Sequence, residues 1–156
     1  MNLLQETKFI MKKYGITANK RLGQNFLIND EVVSQIVTSS NINKEDLVIE
    51  IGPGLGTLTK PLLENAGKVI CIELDSRMIE ILEDRFKLYK NFIVINEDVL
   101  KVKLKELIKE NKKERYKKCK NSCKFTILHY NSNYNEITRR QIRYRKHNCN
   151  DTKRSS

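Results

Sequence analysis

The segment Val48-Ile49-Glu50-Ile51-Gly52-Pro53-Gly54-Leu55-Gly56-Thr57 constrains this chain more than any other. A short apolar run that breaks into three alternating glycines fits a buried strand entering a tight turn, because glycine reaches φ > 0 at little steric cost. A strand with continuous apolar character belongs to a parallel sheet and needs covering layers on both faces. The neighbouring text supplies them.

Thr57 is expected to open a helix through Leu58, Leu62 and Leu63 that closes near Asn65 to Gly67. Val69-Ile70-Cys71-Ile72 reads as a second buried strand ending at Glu73. Ser76 is the expected cap of a helix with Met78, Ile79, Leu82 and Phe86 on one face. Phe92-Ile93-Val94-Ile95 is a third strand, ending at Asn96-Glu97-Asp98, and Val102, Leu104, Leu107 and Ile108 suggest one more helix. Strand and helix alternate three times, the signature of a right-handed parallel α/β unit.

Upstream, Leu3, Leu4, Phe9, Ile10 and Tyr14 fit an amphipathic packing helix with Gly15 as its stop. Lys20 to Asn29 reads as a loop, and Asn29 or Asp30 as the cap of a helix whose apolar face is Val32, Val33, Ile36 and Val37. In that loop Gln24 and Asn25 offer amide donors and acceptors, and Lys20 and Arg21 can reach a phosphate or carboxylate. The expected organisation is an N-terminal helical segment over 1–40, a partial cofactor-binding domain over 41–110 and a basic tail over 111–156.

Charge divides at that last boundary. Residues 1–110 carry 16 of the 30 Lys+Arg and 16 of the 19 Asp+Glu, so the whole formal charge of +11 falls in residues 111–156. The first residues are charged too early for a signal peptide, and no apolar run approaches membrane-spanning length. A cytoplasmic protein without a disulfide framework is expected, with Cys71 acting as a small buried hydrophobe.

Ligands of parallel α/β sheets bind at the carboxyl ends of the strands. Three such ends here carry Gly52, Gly54 and Gly56, then Glu73, then Asp98. The glycines admit close backbone approach, an acid about 20 residues further on suits ribose hydroxyls, and an acid after the third strand suits an adenine amine. The combination points to an adenosine cofactor. A dinucleotide fingerprint requires G-x-G-x-x-G with a pyrophosphate at a helix N-terminus. This turn is G-x-G-x-G behind Glu50. A carboxylate there repels pyrophosphate but suits an α-ammonium group, held directly or through water, which favours S-adenosylmethionine over NAD.

Four segments, Lys20-Arg21-Leu22-Gly23-Gln24-Asn25-Phe26-Leu27, Glu50 to Thr59, Ile72-Glu73-Leu74-Asp75 and Asn96-Glu97-Asp98-Val99-Leu100, resemble the successive motifs of the bacterial small-subunit ribosomal RNA adenine N6,N6-dimethyltransferases. The resemblance implies the N-terminal half of a class I, Rossmann-like methyltransferase sheet. It further implies an S-adenosylmethionine pocket lined by Asn25, Leu27, Gly52, Gly54, Glu73 and Asp98, and ribosomal RNA of the small subunit as partner, with a monomer expected. The related large-subunit methyltransferases of antibiotic resistance share most of these motifs and stay open as an alternative, as does a non-catalytic cofactor- or RNA-binding remnant.

The family also uses a fourth-strand motif of the type Asn-Leu-Pro-Tyr to hold a flipped adenine. No such motif is written here, so no catalytic residue is assigned. From about Asn111 the chain turns basic and loses its period, and a disordered tail is expected. Cys119, Cys123, His129, His147 and Cys149 could be read as a zinc site, but the spacing departs from common pairs and no metal is expected. Interleaved tyrosines at 130, 134 and 144 fit an RNA-binding arm. A third reading accounts for more. Codon degeneracy permits Lys124 to His129 to be written AAA TTT ACC ATA TTA CAT, which read one base later gives Asn-Leu-Pro-Tyr-Tyr. The stretch ahead of them permits Val-Lys-Ile-Val-Ala. A frame change between about Asn111 and Lys118 is therefore expected, with loss of activity. The edge left without a fourth strand should then be exposed and prone to aggregation.

Overall fold

The structure, a computed structural model, describes residues 2–17, 29–116, 122–131 and 136–145, with only the backbone given for 112–116, 122–125, 129–131 and 136–145. The order is α1 (Leu3–Lys13), α2 (Asp30–Ser40), β1 (Leu47–Ile51), α3 (Thr59–Asn65), β2 (Lys68–Glu73), α4 (Ser76–Phe86), β3 (Phe92–Asn96), α5 (Leu104–Tyr116), β4 (Ser122–Asn131) and β5 (Glu136–Arg145). One sheet of order β3-β2-β1-β4-β5 contains all five strands. β1 pairs in parallel with β2 and with β4, β2 with β3 likewise, and β5 returns antiparallel on β4.

Alternation along β1 sorts its side chains between two layers. Val48 faces a cluster with Val69, Cys71, Leu128, Leu62 of α3 and Leu82 and Phe86 of α4. Leu47 and Ile49 face the other, with Ile70, Ile72 and Ile108 of α5. Leu47, Val48 and Ile49 are fully buried, each contributing about 1.5–3 kcal/mol of transfer free energy. A third cluster joins Ile10 of α1 to Leu55 of the glycine turn and Met78 and Ile81 of α4.

Helix caps follow from local chemistry, with two corrections. Asn29 caps α2, its side chain accepting from Glu31 and Val32 N–H. The cap of α4 is Asp75 rather than Ser76, because the aspartate carboxylate accepts from Arg77 N–H at 3.0 Å. α3 begins at Thr59 rather than Thr57, after the turn has consumed the intervening residues.

The tail departs most from expectation. α5 continues to Tyr116, and residues 122–131 form β4 against the edge of β1 that the sequence left bare. The run Phe125-Thr126-Ile127-Leu128 is apolar enough to be recruited by that edge, with Leu128 fully buried. The expected bare edge of β1 is therefore covered, and residues 122–131 and 136–145 are strand rather than disordered tail. Because β2 and β3 lie on one side of β1 and β4 on the other, the strand order reverses beside β1, where open α/β sheets form their ligand crevice.

Candidate functional site

The turn after β1 is built on three left-handed glycines, with φ of 67° at Gly52, 57° at Gly54 and 80° at Gly56. Their roles differ. A Cβ on Gly52 would meet nothing within 4 Å, so this glycine faces open space. A Cβ on Gly56 would lie 2.5 Å from Phe86 and 2.9 Å from Leu82, so this glycine is required by the packing of α4 under the turn. Each glycine N–H is engaged within the protein. Gly52 donates to Ile72 O at 2.9 Å, Gly54 to Glu73 Oε2 at 3.1 Å and Gly56 to Pro53 O at 2.9 Å.

Glu73, at the end of β2, ties this turn to the next one. Its Oε1 accepts from the N–H groups of Leu74 at 2.8 Å and Asp75 at 3.0 Å, while Oε2 accepts from Gly54. A carboxylate offers about four acceptor positions, so Oε2 retains one beside the turn. Asn96 holds the neighbouring strand end in place by donating from Nδ2 to the carbonyls of Glu73 at 2.9 Å and Leu74 at 3.2 Å. Asp98 closes the turn after β3, where its Oδ1 accepts from Leu100 N–H at 2.9 Å. Oδ2 makes no part of that bond. Leu74 and Leu100, 60% and 90% exposed, flank the two acids with apolar surface.

Glu50 is placed differently from its sequence expectation. Its side chain is 4% exposed and turns beneath the turn, where Oε2 accepts from Thr59 Oγ1 at 2.7 Å and Cys71 Sγ at 3.5 Å. Burial, with a smaller contribution from the charge of Glu73, pushes its carboxyl up to about 7 against the two hydrogen bonds. It supports the turn from within the core, and a direct bond to a ligand ammonium is not what its side chain is placed for.

The structure thus brings Gly52, Gly54, Glu73 and Asp98 to one end of the sheet. Asn25 and Leu27 lie outside the described residues, as do Cys119, His147 and Cys149 of the zinc reading; no group of three or more potential metal ligands occurs among the described residues. Sequence reasoning missed Asn96 and Arg85. Arg85 donates to Leu55 O and, at 2.5 Å, to Glu6 Oε1. Its only sequence signal is a basic residue in the last turn of an amphipathic helix, which ordinarily marks a solvated position. A separate cleft of about 400 Å³ lies between α1, α2 and α3, lined by Leu3, Asp30, Val33, Val37, Lys60 and Glu64 among others, away from the two strand-end acids.

Residues 15–135 match the family described as Ribosomal RNA adenine dimethylase. The chain belongs to that family. Among curated relatives, a ribosomal RNA small subunit methyltransferase A of Clostridium botulinum is 55% identical over 106 residues, 68% of this chain and 38% of that protein. The protein of the same description from Clostridium acetobutylicum is 49% identical over 104 residues, 67% of this chain and 38% of its own length. This chain therefore spans about two-fifths of the curated relatives it matches. A dimethyladenosine transferase from Plasmodium falciparum aligns in structure with a TM-score of 0.50 and 27% identity, over 67% of this chain and 43% of that one. The ribosomal RNA adenine dimethylase match runs past residue 118, where the change of frame is expected to be complete. No helix of the described residues is long and apolar enough to cross a membrane.

Proposed function

We propose that Gly52, Gly54, Glu73 and Asp98 form the S-adenosylmethionine site of a ribosomal RNA adenine N6,N6-dimethyltransferase fold. One observation carries the choice of cofactor. All three glycine N–H groups are engaged inside the protein, and Glu50 lies buried beside Thr59, the first residue of α3. A pyrophosphate would find the three glycine amides already taken and an acidic side chain under the start of α3. An adenosine without phosphates fits better: Glu73 Oε2 accepts a ribose hydroxyl, Asp98 Oδ2 accepts from the adenine amine, and Leu74 and Leu100 cover the ring. Asn25 and Leu27 join the pocket by family resemblance.

When bound, the cofactor supplies a sulfonium methyl for transfer to the N6 amine of adenines in small-subunit ribosomal RNA, the target that the relatives' names support. The amine is a poor nucleophile until acceptors help it rehybridise, the task of the Asn-Leu-Pro-Tyr motif. That motif is absent from this sequence, and β4 occupies the strand position beside β1 with other residues. On this reading the chain is a cytoplasmic monomer that keeps the cofactor pocket but does not turn the cofactor over, and we attribute the loss to a frame change between about Asn111 and Lys118, although the family match continues to residue 135.

Calorimetry with S-adenosylmethionine, a methyl-transfer assay on unmodified small subunits and sequencing of the coding DNA test these points separately. Binding that weakens in Glu73→Ala supports the site, whereas NAD binding that survives Glu73→Ala, with no S-adenosylmethionine binding, would overturn it. Detectable turnover would overturn inactivity. Codons that cannot yield the Asn-Leu-Pro-Tyr reading would remove the frame change.

A further inference from the structure

Arg85 joins three separate parts of the molecule around the glycine turn. It leaves the last turn of α4, donates to the carbonyl of Leu55 inside the turn and pairs with Glu6 of α1 at 2.5 Å. The pair is largely shielded, with side-chain exposures of 13% for Arg85 and 21% for Glu6. An apolar contact runs parallel to it, since Leu55 packs with Ile10 of α1 and with Met78 and Ile81 of α4. At the far end of α1 a second clamp joins Lys13 and Tyr14 to Asp84, the neighbour of Arg85, with Lys13 at 3.0 Å. Thus both ends of α1 are held at the adjacent residues Asp84 and Arg85 in the last turn of α4, and Ile10 between them packs on Leu55, the turn residue between Gly54 and Gly56.

We propose that Arg85 is a positioning residue of the cofactor turn, and that through Glu6 it makes the turn's conformation depend on the docking of α1. This rests on the cofactor site proposed above. A guanidinium suits the task because its planar fork presents donors to two partners at once, whereas a lysine ammonium is a single point charge. With Arg85 removed, the Leu55 carbonyl loses its donor and Glu6 its counter-ion. The left-handed Gly54 and Gly56 flanking Leu55 are then free to rotate, and the Gly54 N–H leaves Glu73. α1 contacts no ligand in this scheme, yet it sets the affinity of the site.

Backbone amide hydrogen exchange on the unliganded full chain tests this without any cofactor. Arg85→Met should speed exchange at Gly54 and Gly56 by about tenfold relative to the β1 core amides of Val48 and Ile49. Glu6→Gln should give a smaller change of the same pattern, and Arg85→Lys should restore part of the protection. Calorimetry with S-adenosylmethionine should show affinity falling by about tenfold in Arg85→Met, with Glu6→Gln adding little in the double variant. Equal acceleration of turn and core amides, or fully additive effects of the two substitutions, would overturn the proposal as mere loss of stability. Should Arg85→Met not fold, Glu6→Gln decides by the same exchange pattern. If the wild-type chain binds no S-adenosylmethionine, the cofactor reading fails while the exchange pattern still decides for or against Arg85.

Discussion

The two flanks of β1 are built by the same backbone pairing and yet carry different amounts of information. β2 and β4 each pair with β1 in parallel over the same five residues, Leu47 to Ile51. On the β2 flank the pairing ends in the proposed site: Glu73 receives three backbone N–H groups, Asn96 braces the strand end, and Asp98 caps the next turn. On the β4 flank, Thr126 Oγ1 is the single buried side-chain polar atom without a partner among the described residues. Strand pairing uses groups every residue owns, so an edge recruits almost any apolar run of suitable length. A site requires particular side chains at strand ends. Backbone completeness on one flank therefore says nothing about chemistry there.

The largest expected effect lies under the turn. Gly56→Ala combines a left-handed φ of 80° with a Cβ 2.5 Å from Phe86, and should destabilise the chain by about 3 kcal/mol from backbone and overpacking costs together. Gly52→Ala has the same backbone problem without the clash and should cost about 1–2 kcal/mol. Urea unfolding of both variants measures the gap. Equal losses would mean that α4 does not pack beneath the turn, and the β2 flank would lose its claim to a defined site.

Glu50 gives the next effect, through pH. Its carboxyl is raised from 4.5 to about 7 in the fold, by burial first and the Glu73 charge last. Between those values the folded chain holds more protons than the unfolded one, so the stability from this group is full below about 4.5 and is lost as pH rises through about 7. Glu50→Gln should match wild type near the lower end and exceed it above pH 7, by on the order of 3 kcal/mol. Unfolding curves across this window decide it, and parallel pH profiles for the two proteins would count against a buried Glu50.

Cofactor affinity follows. Glu73→Ala removes the acceptor proposed for the ribose and leaves Gly54 N–H without its carboxylate, which should weaken S-adenosylmethionine binding by about 30-fold, the value of a hydrogen bond to a charged group. Asp98→Ala should lose less, because Asp98 braces its own loop only through Leu100. Calorimetry ranks the two. A larger loss at Asp98 would shift the centre of the site from β2 to β3.

Much of the β2 flank was legible because its signals are local. Apolar runs of four residues, glycines that break them and acids at their ends fix strands and strand ends without reference to anything distant. Asp98 and Glu73 could be read this way. The direction of Glu50 could not, since the same alternation that buries Val48 sends Glu50 to that face, under Thr59 and beside Cys71. Reading it required knowing that α3 folds back over the strand. Asp75 displaced Ser76 as cap because an adjacent pair of good capping residues leaves the choice to the path of the chain. Arg85 was hidden for a related reason: its partners are 30 and 79 residues away. On the other flank, Phe125 to Leu128 lacks turn signals and alternation, and its strand state comes from pairing with β1 on one side and β5 on the other.

The smallest effect tests that last point directly. Thr126 is 1% exposed, opposite Val48 in the parallel register, and its hydroxyl has no partner. A buried hydroxyl left unbonded costs about 1–3 kcal/mol, and valine has nearly the same shape without the polar atom. Thr126→Val should therefore stabilise the chain by about 1 kcal/mol in urea unfolding, contrary to the usual direction of single substitutions. A neutral result would mean that β4 does not sit against β1 as a packed strand, leaving that edge open. A stabilised variant would show that β4 is held by backbone pairing and apolar burial, by a sequence with one residue ill suited to its position. That outcome fits a strand recruited to the sheet by chance text better than one shaped to complete an active site.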